Sequence, residues 1–155
     1  MLSKIDSMIE PLRKIADGVL SPLLVLGIRL FMADIFFTSG LIKFKNFLNG
    51  QWDSTVYLFK DVHPLPGIPA ELAAIGGTGG ELVLPILLAL GLFGRLGAAG
   101  LLVMTAVIQF AIPAEHGLMN ADHYMWMMLL AVPFIMGPGK LSLDYLLLKF
   151  IRKSS

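Results

Sequence analysis

The sequence predicts an all-α integral membrane protein: a four-transmembrane-helix bundle with amphipathic interfacial helices at both termini. Of its 155 residues, 56% are hydrophobic and 15% are charged, and the mean hydropathy is +0.78. A soluble domain usually carries about 25% charged residues. Four apolar segments, each near the ~20 residues that cross a bilayer, follow one another along the chain. The length suits one domain, residues 1–155.

The composition excludes several classes of function. A formal net charge of +1 is far from the dense basic surface that nucleic-acid binding requires. The absence of cysteine removes disulfide scaffolds, thiolate metal sites and cysteine-based redox relays. The histidines, His63, His116 and His123, show no metal-ligand spacing at a common depth. We therefore expect no nucleic-acid partner and no metal, and the oligomeric state stays open.

The N-terminal segment, residues 1–20, has apolar residues at helical spacing and charged residues between them. This pattern predicts an amphipathic helix lying in the membrane interface. A cytosolic extension of the first span is the alternative. No small-residue cleavage site follows the first apolar run, so we expect no cleavable signal peptide.

The four spans are predicted from the apolar runs. They cover about residues 22–42, 70–93, 96–112 and 122–136. Gly137-Pro138-Gly139 should end the fourth, because proline cannot continue a helix and glycine permits a left-handed turn. In the tail, residues 140–155, Ser142 is placed to cap a short amphipathic helix, with Asp144 favourably placed against its dipole.

The connection from Lys43 to Pro69 is the only long one between the predicted spans. Its Trp52 and Tyr57 suit interface anchors, and a loop folded over the mouth of the bundle is equally compatible. Orientation follows the distribution of Lys and Arg. Three basic residues fall in this loop, and eight fall on the other side: Lys4, Arg13, Lys14, Arg95, Lys140, Lys149, Arg152 and Lys153. Both termini are therefore predicted to be cytoplasmic.

Polar side chains inside the spans are the candidate ligand-binding residues, because a central charge costs about 2.5–3.5 kcal/mol or more. At ~1.5 Å of rise per residue, Asp34, Glu81, Gln109 and His123 lie ~20–21 Å from the cytoplasmic edge. Arg29 lies ~12 Å from that edge, and is therefore deeper when viewed from outside. Their common level predicts a polar pocket that opens outward. The candidates are Arg29, Asp34, Glu81, Gln109, His123 and Trp126.

The polar level also has a structural interpretation that stays open. Arg29 could form a bundle-fixing ion pair, more plausibly with Glu81 than with Asp34, which lies ~140° around the same helix. Pro85 deprives the Glu81 carbonyl of its helical partner, and Pro113 would do the same for Gln109. Free carbonyls at this level favour the pocket, so both interpretations stand.

The motifs resemble those of the DoxX family. Arg29, Ser39-Gly40-Leu41-Ile42-Lys43 and Pro64-Leu65-Pro66 carry its opening pattern. The strongest match runs from Gly80-Glu81-Leu82-Val83-Leu84-Pro85 to Gly91-Leu92-Phe93-Gly94-Arg95. Asp122-His123-Tyr124-Met125-Trp126 and the stretch from Gly137 to Asp144 complete it. The resemblance covers about residues 20–148, with Gly94 where the family often has Thr.

The resemblance implies a multi-pass protein of the bacterial inner membrane, similar to the membrane subunit of thiosulfate:quinone oxidoreductases. It implies a quinone-interacting subunit of a sulfur or oxidative-stress redox complex, with quinone as the candidate cofactor and soluble redox proteins as candidate partners. Arg29 and His123 could donate to a quinone, and Glu81 or Asp34 could relay protons. A non-catalytic scaffold that recruits soluble redox enzymes and a small-molecule carrier gated near Pro85 are the alternatives. Whether the chain is itself an enzyme stays open.

Overall fold

The computed structural model describes the backbone of residues 2–112 and 120–154, and the side chains of residues 9–112 and 120–153. Within these ranges the chain is helical and contains no strand, so the predicted all-α class is confirmed. The predicted effect of Pro113 on the Gln109 carbonyl, and the placement of His116, lie outside the described residues.

The helices follow the predicted order. Helix α1 covers Leu2–Ile15, and a π-helical stretch, Ala16–Leu20, joins it to α2, Ser21–Leu48. A short helix α3, Trp52–Tyr57, continues into a second π-helical stretch, Leu58–Val62. The remaining helices are α4, Ala70–Leu90; α5, Gly94–Phe110; α6, Ala121–Met136; and α7, Leu143–Ser154.

The helix ends have local causes in the sequence. Helix α4 ends at Gly91, whose φ of +64° places it in the left-handed region that glycine favours. Helix α6 begins after Asn120, whose Oδ1 accepts a hydrogen bond from the Asp122 N–H at 3.0 Å. The predicted stop at Gly137 is confirmed, and the predicted cap of α7 is confirmed because the Tyr145 N–H donates to Ser142 Oγ at 3.2 Å.

Helices α2, α4, α5 and α6 form the bundle. Helix α4 packs between α2 and α5, α5 packs against α6, and α6 returns to α2. Each helix contributes at least one fully buried residue to the centre of the core: Met32, Leu88, Ala98, Leu101 and Leu130 are all 0% exposed. The four predicted spans thus correspond to four helices around one apolar core.

Two helical stretches are long and apolar enough to cross a membrane, Ile9–Leu48 and Ala70–Leu90. Helices α5 and α6 are apolar but shorter, with 17 and 16 residues. At ~1.5 Å per residue they reach ~24–26 Å, against a hydrocarbon core of ~30 Å. A short span can be accommodated by local thinning of the bilayer.

The segment predicted to be a long loop is largely helical, so that prediction is wrong. Helix α2 continues past residue 42 to Leu48, so Lys43 lies within the helix and not in the loop. The segment that follows folds back over α4, where the Phe59 ring lies against Gly77. A Cβ at residue 77 would stand 2.7 Å from Phe59 Cζ. The connection therefore covers one end of the bundle.

Candidate functional site

A cavity of about 560 Å³ lies at the covered end of the bundle, between α2, α4, α5, the start of α6 and the segment after α3. Its walls are mostly apolar, with Leu72, Val103 and Val107 among them. Ligand pockets commonly have volumes of about 300–1,000 Å³, apolar walls and a few convergent polar groups. The polar residues that line this cavity are Ser39, Lys43, His63, Glu81, Asn120 and His123.

An ion pair between Lys43 of α2 and Glu81 of α4 forms one polar wall of the cavity. Lys43 Nζ lies 2.6 Å from Glu81 Oε2, and the two residues are 9% and 7% exposed. Lys43 Nζ also donates to Ser39 Oγ at 2.8 Å, one helical turn earlier. An ammonium group has three N–H donors, so one is left for a further acceptor. The two charges therefore compensate each other, and one N–H of Lys43 remains to donate to a ligand.

Gly40 lets the two helices approach closely enough to form this pair. A Cβ at residue 40 would lie 2.9 Å from the backbone carbon of Glu81 and 3.0 Å from its carbonyl oxygen. Real Cβ atoms do not come this close to a backbone, so any other residue would separate α2 from α4. Gly40 thus lies against the Glu81 carbonyl. This carbonyl lacks its helical hydrogen bond, because Pro85, four residues later, has no N–H.

His123 and Gln109 form a second polar group. His123 Nδ1 lies 2.7 Å from Gln109 Oε1, and the backbone N–H of Asn120 donates to the same oxygen at 3.2 Å. Both side chains are buried, but only His123 lines the cavity. Trp126 lies behind His123, with ring centroids 5.2 Å apart, and its edge meets Phe36 at 5.8 Å. Gln109 and Trp126 therefore support the His123 ring.

Arg29 lies away from the cavity, and the expected ion pair with Glu81 is wrong. Its guanidinium donates to four backbone carbonyls: Leu88 O at 2.8 Å, Ala89 O at 2.6 Å, Pro138 O at 2.7 Å and Leu141 O at 2.8 Å. The first two belong to the last turn of α4, where carbonyls lack the regular helical partner four residues later. Arg29 is 1% exposed and ties the end of α4 to the connection between α6 and α7.

Asp34 also lies outside the cavity, although the sequence placed it at the same level as Glu81. Its side chain is exposed on the outer side of α2, in a groove of about 330 Å³ that Ala33 and Pro85 also line. Among the described residues it has no hydrogen-bond or ion-pair partner. Of the six candidates, the structure thus brings Glu81 and His123 to one cavity, with Gln109 and Trp126 behind His123.

Lys43 and Ser39 line the cavity but were not among the residues predicted for the site. Lys43 was assigned to the loop because it follows the apolar run of the first span, and a flanking lysine usually marks a membrane boundary. The available signal was the four-residue spacing from Ser39 to Lys43, which places both on one helical face. Ser39, Gly40 and Lys43 lie on that face. Lys43 donates to both Ser39 and Glu81, and Gly40 lies close to the Glu81 backbone.

The site offers acid–base and hydrogen-bonding chemistry. It holds a carboxylate, an ammonium and an imidazole on the walls of an apolar cavity. Within the described residues, no group of three or more His, Cys, Asp or Glu side chains could hold a metal ion. The arrangement suits a ligand with a small polar head group and an apolar body.

The chain matches the DoxX family over residues 24–114. It is also 34% identical, over 141 residues, to a protein of Haemophilus influenzae described as an uncharacterized protein. That alignment covers 86% of this chain and 89% of the relative. No solved structure matches the chain. With more than half of its length matched, and with the apolar four-helix architecture described above, this chain belongs to the DoxX family of membrane proteins.

Proposed function

We propose that this protein crosses the bacterial inner membrane four times, with both termini in the cytoplasm, and binds a quinone head group in its cavity as a subunit of a redox complex. One observation carries the proposal: a nearly buried Lys43–Glu81 pair lies on the wall of an otherwise apolar cavity of about 560 Å³. Buried ionisable groups are costly in a membrane protein, so they favour a functional site.

The residues present fit a quinone. The apolar walls, among them Val103, Val107 and Ile108, suit the ring and the start of an isoprenoid tail. The N–H of Lys43 that neither Ser39 nor Glu81 uses could donate to a ring carbonyl.

A bound quinone would supply two-electron, two-proton chemistry. The chain supplies groups that hold protons near it: the Glu81 carboxylate and the His123 ring both line the cavity. Lys43 keeps Glu81 in place and compensates its charge. Because the sequence has no cysteine, we propose that electrons come from a soluble redox partner or from a cofactor that the partner holds.

The topology can be tested by labelling introduced cysteines, because the chain has no native cysteine that would give background labelling. Single variants Ala121→Cys, at the exposed start of α6, and Lys149→Cys, in α7, lie on opposite sides of the membrane only if α5 and α6 cross it as well as α2 and α4. We expect a membrane-impermeant maleimide to label Ala121→Cys in intact spheroplasts and Lys149→Cys only after lysis. Labelling of both from one side would contradict the four-span topology.

Quinone binding is tested by titrating the purified protein in mild detergent with a short-chain benzoquinone. Val107→Trp should fill the cavity and weaken binding at least tenfold, whereas Leu24→Trp, on the exposed surface of α2, should bind like wild type. Binding that saturates in wild type but not in Val107→Trp supports the proposal. Equal binding by both variants, or no saturable binding by wild type, would rule it out.

A scaffold role is the second candidate, and the exposed apolar face of α7 favours it. Leu146, Leu147 and Leu148 are each more than half exposed. They suit either the membrane surface or a partner protein. Removal of residues 143–154 should abolish recruitment of a soluble redox protein if the scaffold role holds, and Glu81→Gln should then be harmless.

A further inference from the structure

The backbone around Asn120 determines which way the Gln109 amide faces. The Asn120 N–H can only donate, and it lies 3.2 Å from Gln109 Oε1. Rotating the amide would place its NH₂ group against this N–H, donor against donor. The oxygen of Gln109 must therefore face both Asn120 and His123.

This orientation fixes the tautomer of His123. An amide oxygen only accepts, so Nδ1 of His123, 2.7 Å away, must carry the proton that donates to it. In a neutral imidazole the other nitrogen, Nε2, is then an acceptor. Gln109 thus acts on the cavity through His123, as a positioning residue.

Nε2 is the ring nitrogen of His123 that remains for a ligand. The structure shows no hydrogen bond to Nε2 from the described residues. Among the described side chains, Thr78 Oγ1 is the sole polar atom that is both fully buried and without a partner, so Nε2 keeps some accessible surface. His123 itself lines the cavity. A ligand that approaches this nitrogen must bring its own donor.

Glu81 adds a second acceptor to the cavity wall. Its Oε2 accepts from Lys43, and its Oε1 is not among the fully buried atoms without a partner. The donors on the wall are the Lys43 N–H that neither Ser39 nor Glu81 uses and the Ser39 O–H, because Ser39 Oγ accepts from Lys43. The Asn120 side chain is engaged with Asp122 at the start of α6. His63, from the covering segment, packs edge-on against Phe59 at 6.2 Å.

We propose that the cavity selects the reduced, hydroxyl-bearing form of its head group, a quinol, because His123 is held by Gln109 with a bare Nε2 toward it. This inference rests on the proposed quinone site. A quinol hydroxyl donates to Nε2, whereas a quinone carbonyl would meet it lone pair against lone pair. Glu81 Oε1 can accept the second hydroxyl. The site then suits the step at which a quinol is bound for oxidation or released as a product.

The tautomer is measured directly by ¹⁵N NMR of the histidine rings at mildly alkaline pH, with His123 assigned from the signals lost in His123→Gln. We expect a protonated Nδ1 and a bare Nε2. In Gln109→Met the acceptor is lost, and the two tautomers should mix. Thr105→Val removes another buried polar group of α5, whose hydroxyl bonds Leu101 O, and should leave the His123 signals unchanged. A protonated Nε2 in wild type would overturn the inference.

The ligand preference is measured by titrating one protein preparation with a short-chain benzoquinol and with the matching benzoquinone, under anaerobic conditions. One hydrogen bond gained in place of an acceptor–acceptor contact should make the quinol bind about tenfold more tightly. Gln109→Met should reduce this ratio toward one, whereas a merely structural loss, as in Thr105→Val, would weaken both ligands equally. If both ligands bind and the quinone binds as tightly as the quinol or more tightly, the inferred preference for quinol is wrong while the quinone site stands. If neither binds, the quinone site itself fails.

Discussion

Lys43 of α2 and Glu81 of α4 form an ion pair with a 2.6 Å contact, although 38 residues separate them in the chain. Gly40, one turn before Lys43, permits the approach, since a Cβ there would stand 2.9 Å from the Glu81 backbone. Ser39 accepts a further hydrogen bond from the same ammonium group. Three residues of one helical turn thus place a charge pair on the cavity wall.

Removing one partner of this pair should be more destabilising than removing both. Lys43→Met or Glu81→Leu alone leaves a nearly buried charge without a partner, and each should lower the free energy of unfolding by about 3–5 kcal/mol. The double variant should recover most of the loss, because two apolar side chains fit the apolar surroundings. Denaturant unfolding in mixed micelles measures all four proteins.

Lys45→Met is the control for the ion pair, because Lys45 lies two residues further along α2 and is exposed. We expect it to unfold like wild type. Additive losses in the double variant would show that Lys43 and Glu81 do not act as a pair.

Gly40→Ala should disrupt the site while Gly27→Ala should not. The new methyl group at residue 40 would clash with the Glu81 backbone and move Lys43 away from the carboxylate. No atom lies within 4 Å of the corresponding position at Gly27. There, alanine should stabilise the helix by about 0.5–1 kcal/mol. The thermal unfolding midpoint should therefore fall in Gly40→Ala and rise in Gly27→Ala. A rise in both variants would contradict the close approach of α2 to α4 at Gly40.

Arg29→Lys should destabilise the bundle without altering ligand selectivity. A lysine ammonium cannot satisfy four carbonyls of two separate segments as the guanidinium does. Losing two or more hydrogen bonds to a charged group, at about 1.5–3 kcal/mol each, should lower the unfolding free energy by about 3 kcal/mol or more. Arg152→Lys, in exposed α7, is the control. A changed quinol-to-quinone ratio in Arg29→Lys would place Arg29 in the site after all.

Asp34→Asn should leave ligand binding at the wild-type level. The Asp34 side chain lies in the groove beside Pro85, outside the cavity, and has no partner within the described residues. Removing an unpaired carboxylate from this apolar surface should keep or raise the unfolding midpoint. Benzoquinone titration and thermal unfolding check both expectations. A severalfold loss of affinity would show that the groove belongs to the binding site.

The sequence was sufficient for the four bundle helices but not for α3, because the bundle helices depend on local signals. Apolar runs, the glycine after α4, the Asn120 cap and the Gly137-Pro138-Gly139 stop each act within a few residues. Helices α4 and α6 begin within one residue of the predicted starts of the second and fourth spans. Helix α2 runs past the predicted end of the first span, because Lys43 interrupts the apolar pattern without ending the helix.

The site was less predictable, because it depends on which way each side chain faces. Depth along a helix placed Asp34 and Glu81 at one level, but their rotation about the two helix axes sends Asp34 outward and Glu81 into the cavity. Arg29 was assigned an acidic partner, since a buried cation suggests an anion. The helix-end carbonyls that it binds instead come together only through tertiary packing.

Photolabelling with an azido-benzoquinone, followed by peptide mapping, locates the bound head group directly. If the head group binds in the cavity, we expect labels on cavity residues of α4 and α5, such as Gly77, Met104 and Ile108, and on Phe59 of the covering segment. Excess unlabelled benzoquinone should suppress these labels, and Val107→Trp should lack them. Suppressible labels confined to α7 or to the groove of Asp34 and Pro85 would show that the head group binds elsewhere.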